Sequence, residues 1–115
     1  MFAIKAPLEK LVSKKMKISI IKGDITKIKA DAIVNPTNSL MLEGSGVDGA
    51  IKKAAGPKLQ KECNIIRESR IPYGLKTGEA IYTNAYNLPA KIIIHTLGPK
   101  YYSQNIELLK SWVIR

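Results

Sequence analysis

The β-branched run Ile18-Ser19-Ile20-Ile21, stopped by Gly23-Asp24, predicts a strand ending in a turn. A second apolar run, Ala32-Ile33-Val34, ends at Asn35-Pro36, where proline cannot donate to a ladder and keeps Asn35 out of the helical region. Two predicted strands thus each deliver a polar residue at their carboxyl ends. After the glycine-rich stretch Gly44-Ser45-Gly46, the apolar positions Val47, Ala50, Ile51, Ala54 and Ala55 fall at i, i+3, i+4, i+7 and i+8. That periodicity predicts a helix fed by a loop. Gly56-Pro57 closes it and opens a second helix reaching about Glu68, since glycine suits the position after a helix and proline the first turn of one.

Two more strands are predicted at residues 79–83 and 91–96. The second is so uniformly apolar at Ile92, Ile93 and Ile94 that it reads as a central strand with helices covering both faces. Ser103 starts a last predicted helix with Ile106, Leu109, Trp112 and Val113 on one stripe, and Arg115 falls inside it. Leu8, Leu11 and Val12 sit at helical spacing, so residues 1–15 read as a short helical appendage and residues 16–115 as the domain. The alternation of strands and helices predicts a layered α/β sheet that lacks its closing elements.

Composition narrows the picture only slightly. Hydrophobic residues make up 45% and charged residues 24% of 115 residues, a balance suited to one globular domain and far from that of disordered chains. Cys63 is the sole cysteine, so no intramolecular disulfide is available, which fits a reducing, cytoplasmic setting. No stretch approaches the ~20 apolar residues of a membrane span, and the N-terminus breaks its apolar character at Lys5, Pro7 and Glu9 before a signal sequence can develop. The formal net charge of +10 attracts anions of any kind. Without an arginine cluster interleaved with aromatics, it reads as a solvated lysine-rich surface rather than a nucleic-acid platform.

Candidate chemistry gathers where open α/β sheets bind ligands, beyond the carboxyl ends of strands. Asp24, Asn35 with Asn38, and the glycine loop all fall there. The loop allows close backbone approach, and the free N–H groups of the following helix favour a phosphate or diphosphate. It matches neither the P-loop nor the dinucleotide fingerprint. An ionised Asp24 can accept from an exocyclic amine, or equally cap a turn toward Thr26. Asn35 and Asn38 suit ribose hydroxyls and also suit ordinary turns. In the first helical turn Asp48 is favoured by the helix dipole alone, by ~0.3–1 kcal/mol. His95, after an apolar strand and with no partner for a triad nearby in sequence, reads as a packed strand-end histidine, and Cys63, within a predicted helix, as core or boundary.

Taken together, GDIT at 23–26, DAIVNPTN at 31–38, GSGVDGAI at 44–51, AAGP at 54–57, TGEA at 77–80 and IHTLGP at 94–99 resemble the macro domain family in order and spacing, closest in motif to the MacroD-type hydrolases. The resemblance implies a three-layer α/β/α mixed sheet whose last strands and helix are missing here. It implies that Asp24 meets the adenine amine of ADP-ribose with Ile25 lining the base pocket. It places Asn38, and more loosely Asn35, at the distal ribose, and the diphosphate on Gly44, Ser45, Gly46 and Val47. Asn38 and Asp48 correspond to the residues tied to catalysis. Lys52 stands where the family often has histidine, and Glu43 where it commonly has glycine.

The implied reaction is hydrolysis of ester-linked ADP-ribose, on ADP-ribosylated protein or as O-acetyl-ADP-ribose, by Asp48-assisted attack of water, with no metal or cofactor required. A non-catalytic ADP-ribose reader and an inactive truncated fragment are the alternatives. Binding of nucleic acid is the weakest of the readings.

Overall fold

The computed structural model describes the backbone of Ala3–Ile4 and residues 16–99. Its sheet has four strands: β1 (Ala3–Ile4), β2 (Ala30–Pro36), β3 (Ala80–Asn84) and β4 (Ala90–Thr96), in the spatial order β1-β2-β4-β3. β2 and β4 run parallel, with Ile33 opposite Ile93 and Asn35 opposite His95, while β1 and β3 pair antiparallel to β2 and β4 respectively. The sheet is therefore mixed, and β4 is flanked on both sides as the apolar run at 92–94 predicts.

Two helices follow the first parallel strand, α1 (Gly46–Ala55) and α2 (Pro57–Arg70). Gly56 separates them at φ +94, a left-handed conformation that favours glycine, and Pro57 opens α2 in the first turn, where a missing N–H costs nothing. Ile51 and Ala55 of α1 and Leu59, Cys63 and Ile66 of α2 bury against Ile33 of β2 and Ile93 of β4. Alternation along β4 decides which face they cover: Ile93 and His95 are fully buried, while Ile92 and Ile94 on the opposite face are half-buried. Of the expected layers, the sheet and one helical layer fall within the described residues. The predicted helix from Ser103 lies outside them, as does all of the N-terminal appendage except Ala3–Ile4, which is strand rather than helix.

One expectation fails plainly. Residues 18–21 form no strand. Their side chains face solvent, with Ile20 98% exposed. A β-branched run becomes a strand only when a neighbour accepts its ladder. Here both sides of β4 are taken by β2 and β3, and β2 pairs at Ala32 and Ile33 with Ile4 and Ala3. Among the described residues, 18–21 pair with no strand. A 3-10 turn, Ile25–Lys27, follows this segment and packs against α1.

Candidate functional site

Parallel pairing of β2 with β4 brings Asn35 and His95 side by side at the carboxyl ends of two central strands, both completely buried. Such groups require partners, because an unmade hydrogen bond in the interior costs about 1–3 kcal/mol. Both hydrogens of the Asn35 amide are used: Nδ2 donates to Asp48 Oδ1 at 2.7 Å and meets His95 Nδ1 at 3.1 Å. The reverse amide orientation would set a carbonyl oxygen against the Asp48 carboxylate, so His95 Nδ1 is the acceptor. Its Nε2–H then donates to Thr83 Oγ1 at 2.9 Å, and Thr83 in turn donates to the Asn84 carbonyl at 3.0 Å. Burial, reinforced by the nearby Lys52 cation and opposed by Asp48, lowers the His95 pKa to about 4, so the ring is neutral at pH 7.

Asp48 is the hub of this arrangement. It lies in the first turn of α1 but points inward, 5% exposed. Besides Asn35, it accepts the Gly44 backbone N–H on Oδ2 at 2.6 Å and pairs with Lys52 Nζ at 3.3 Å. Two glycines make the approach possible. A Cβ on Gly44 would sit 3.1 Å from Asp48 Oδ2, and one on Gly49 only 2.5 Å from the Gly44 carbonyl oxygen. The glycine loop is thereby tied down onto its own helix. Ser45, the N-cap, makes no side-chain cap bond, which leaves the N–H groups at the start of α1 open.

The segment between β2 and α1 is anchored from several directions. Met41, fully buried at φ +55, offers its carbonyl to Lys52 Nζ at 2.9 Å and to Gln60 Nε2 at 3.1 Å, while Arg67 Nη1 reaches the Leu40 carbonyl at 3.0 Å. Leu75 N–H donates to the Ser39 carbonyl at 2.7 Å, an approach that needs Gly74, whose added Cβ would lie 2.8 Å from that oxygen. Exposed Asn38 brackets Leu42, donating to its carbonyl at 2.7 Å and accepting its N–H at 3.0 Å. One N–H and one lone pair of the Asn38 amide remain for a ligand.

Asp24 is exposed and caps the 3-10 turn, with Oδ1 accepting the Thr26 backbone N–H at 3.0 Å and the Thr26 hydroxyl at 2.7 Å. Those bonds, the hydroxyl's first, hold its pKa below the ordinary carboxylate value, so it is an acceptor at neutral pH. The capping geometry is therefore real, and it leaves Oδ2 outside these bonds. Ile25 is half-buried and packs against the core.

Asn35, Gly44 and Asp48 thus form one hydrogen-bonded cluster, with Asn38 beside it: its Nδ2 is 3.7 Å from where a Gly44 Cβ would stand. Asp24 and Ile25 belong to a separate turn. Two cavities of about 250 and 300 Å³ lie at the α1–α2 junction. The first is lined by Glu43, Lys52, Lys53 and Gln60 and the second by Lys58, Tyr86 and Asn87, each with the Gly56-Pro57 bend. Neither is lined by Asp24, Asn38 or Ser45, so the strand-end cluster, where the chemistry is gathered, defines the site better than cavity size does. The sequence pattern gave no sign of Lys52, His95 and Thr83 as members of the cluster. The parallel register of β2 with β4 brings in His95, the antiparallel pairing of β3 with β4 brings in Thr83, and the burial of its pair with Asp48 brings in Lys52. Cys63 is buried in the core, and burial raises its thiol pKa to about 11, which leaves it inert. Among the described residues no group of three or more His, Cys, Asp or Glu stands ready for a metal, and no helix is long and apolar enough to cross a membrane.

A mixed sheet with an inward-pointing aspartate and an open helix start at its strand ends marks the chain as an α/β domain with a polar cluster where such sheets carry their sites. Comparison with known proteins makes the class specific: the macro domain family model matches residues 34–114, and the chain belongs to that family. It is 53% identical over 85 residues to O-acetyl-ADP-ribose deacetylase 1 of Pantoea vagans, covering 74% of this chain and 48% of that protein. It is 52% identical over 83 residues to the ADP-ribose glycohydrolase MACROD1 of Bos taurus, covering 72% of this chain and 24% of that one. The Oceanobacillus iheyensis macrodomain solved with ADP superposes with a TM-score of 0.71 at 46% identity, over 77% of this chain and 47% of the other. The chain spans about half the length of several curated relatives it matches.

Proposed function

We propose that this chain binds ADP-ribose at the carboxyl ends of β2 and β4 and hydrolyses ester-linked ADP-ribose. The observation that carries the reading is the Asn35–Asp48–Gly44 junction, which ties the glycine loop to α1 beside the open N–H groups at its start. Those groups suit the diphosphate. Asp24 Oδ2 suits the adenine amine, Ile25 the face of the base, and the free half of the Asn38 amide the distal ribose hydroxyls. The names of the relatives, a deacetylase of O-acetyl-ADP-ribose and an ADP-ribose glycohydrolase, support the same ligand class.

For hydrolysis, water adds through its oxygen to the acyl carbon and the bond from that carbon to the ribose oxygen breaks. The products are a carboxylic acid and a free ribose hydroxyl, the hydroxyl carrying a proton that originated on the water. Asp48 supplies an acceptor for that water: Gly44 occupies one lone-pair position of Oδ2 and leaves the other. A second reading, a module that binds ADP-ribose without chemistry, is favoured by the burial of Asp48 and the number of its protein partners. Turnover of O-acetyl-ADP-ribose decides between the two. Acetate release by the wild-type chain, abolished in Asp48→Asn while ADP-ribose still binds, supports the hydrolase; binding without release in both leaves the reader.

A further inference from the structure

We infer that Lys52 is a positioning residue of the nucleotide site, one that controls affinity for the diphosphate without touching it. This rests on the ADP-ribose reading above. Lys52 lies one helical turn beyond Asp48, and its side chain is 2% exposed. A lysine ammonium is seldom withdrawn so far from water, because desolvation of the charge is repaid only by close partners. Two are present: Asp48 Oδ1 at 3.3 Å and the Met41 carbonyl at 2.9 Å. Met41 sits in the left-handed region at φ +55, with the same carbonyl also receiving Gln60 from α2. One ammonium therefore fastens α1 to the middle of the loop that runs from β2 to the glycines.

Its second effect is electrostatic. Asp48 brings a buried carboxylate to within 2.6 Å of the Gly44 nitrogen, in the loop where the doubly charged diphosphate is to sit. Alone, that carboxylate would repel the ligand through a poorly screened interior. Paired with Lys52 it becomes part of a neutral couple, and the partial positive charge of the α1 start is left to act on the phosphates. Removal of the Lys52 charge should therefore weaken ligands in proportion to their phosphate charge, whereas loss of packing alone would weaken them all alike.

The test compares ADP with adenosine, which differ by the diphosphate, in NMR titrations of the wild-type chain and of Lys52→Met, Lys52→Gln and Lys52→Arg, each first checked by thermal unfolding. In Lys52→Met the ADP affinity is expected to fall at least about tenfold while adenosine changes by less than about twofold, a ratio set by the charge left on Asp48. Lys52→Gln keeps a donor for Met41 but no charge, so the ADP-selective loss persists there, which also covers the case in which the methionine variant does not fold. Lys52→Arg restores ADP binding to within about threefold, since it keeps a cation able to pair with Asp48. Equal losses for ADP and adenosine, or unchanged ADP affinity in both neutral variants, would overturn the inference. A folded wild-type chain that binds neither ligand would instead remove the ADP-ribose reading itself.

Discussion

The carboxyl ends of β2 and β4 and the segment at residues 16–21 begin from similar material, short β-branched runs next to polar residues, and reach opposite outcomes. At the strand ends, parallel pairing buries Ile33 and Ile93 and forces Asn35 and His95 into a continuous hydrogen-bonded chain with Asp48 and Thr83. In the leading segment Ile18 and Ile21 remain 71% and 60% exposed and no ladder forms. The difference lies in partners. Apolar pattern creates the capacity for a strand, but burial and polar organisation come only from the neighbour that completes the ladder and the helix that covers it.

The contrast can be broken most severely at its hub. Asp48→Ala leaves Lys52 as an uncompensated buried cation and frees the Asn35 and Gly44 donors, so denaturant unfolding should show a loss of about 3–5 kcal/mol. Ile93→Ala, in the central strand and fully buried, should cost about 2–5 kcal/mol in the same experiment through lost burial and the cavity left behind.

Acid should loosen the strand ends next. With its folded-state pKa lowered from 6.5 to about 4, His95 binds a proton more readily in the unfolded chain. Its contribution is full above about pH 6.5 and is lost as pH falls toward about 4. A difference of that size corresponds to roughly 3 kcal/mol. The pH dependence of stability across that range should flatten in His95→Gln; an unchanged slope would mean that His95 titrates alike in the folded and unfolded chain.

Smaller effects sharpen the comparison. Gly49→Ala presses a methyl group against the Gly44 carbonyl and should cost about 1–3 kcal/mol, with ADP-ribose affinity falling as the loop shifts. Ile20→Ser, at a position 98% exposed, should change stability by no more than about 0.5 kcal/mol. A loss of several kcal/mol there would show that the leading segment is packed after all.

Much of this was legible in the chain itself. The i, i+3, i+4 pattern from Val47 and the Gly56-Pro57 boundary place α1 and α2 within two residues of their ends, and the apolar run at 92–94 identifies the central strand. The motif order gives the family. Residues 18–21 misled because propensity is a local quantity, while strand formation depends on a neighbour that local sequence does not specify. Asn35 was legible as a strand-end amide, but its use as a bridge between Asp48 and His95 depends on register across 60 residues of sequence. Lys52 was hidden for another reason: at i+4 from an aspartate on a lysine-rich chain it has the pattern of a surface ion pair, and only the packing of Met41 over it turns the pair inward.

The central claim is best tested by calorimetric titration of this chain with ADP-ribose, beside Asp24→Ala, with circular dichroism to establish that both are folded. The account predicts saturable binding by the wild-type chain that is lost or greatly weakened in the variant. A folded wild-type chain that gives no binding heat across a range of temperatures, or a variant that binds as tightly as wild type, would contradict it.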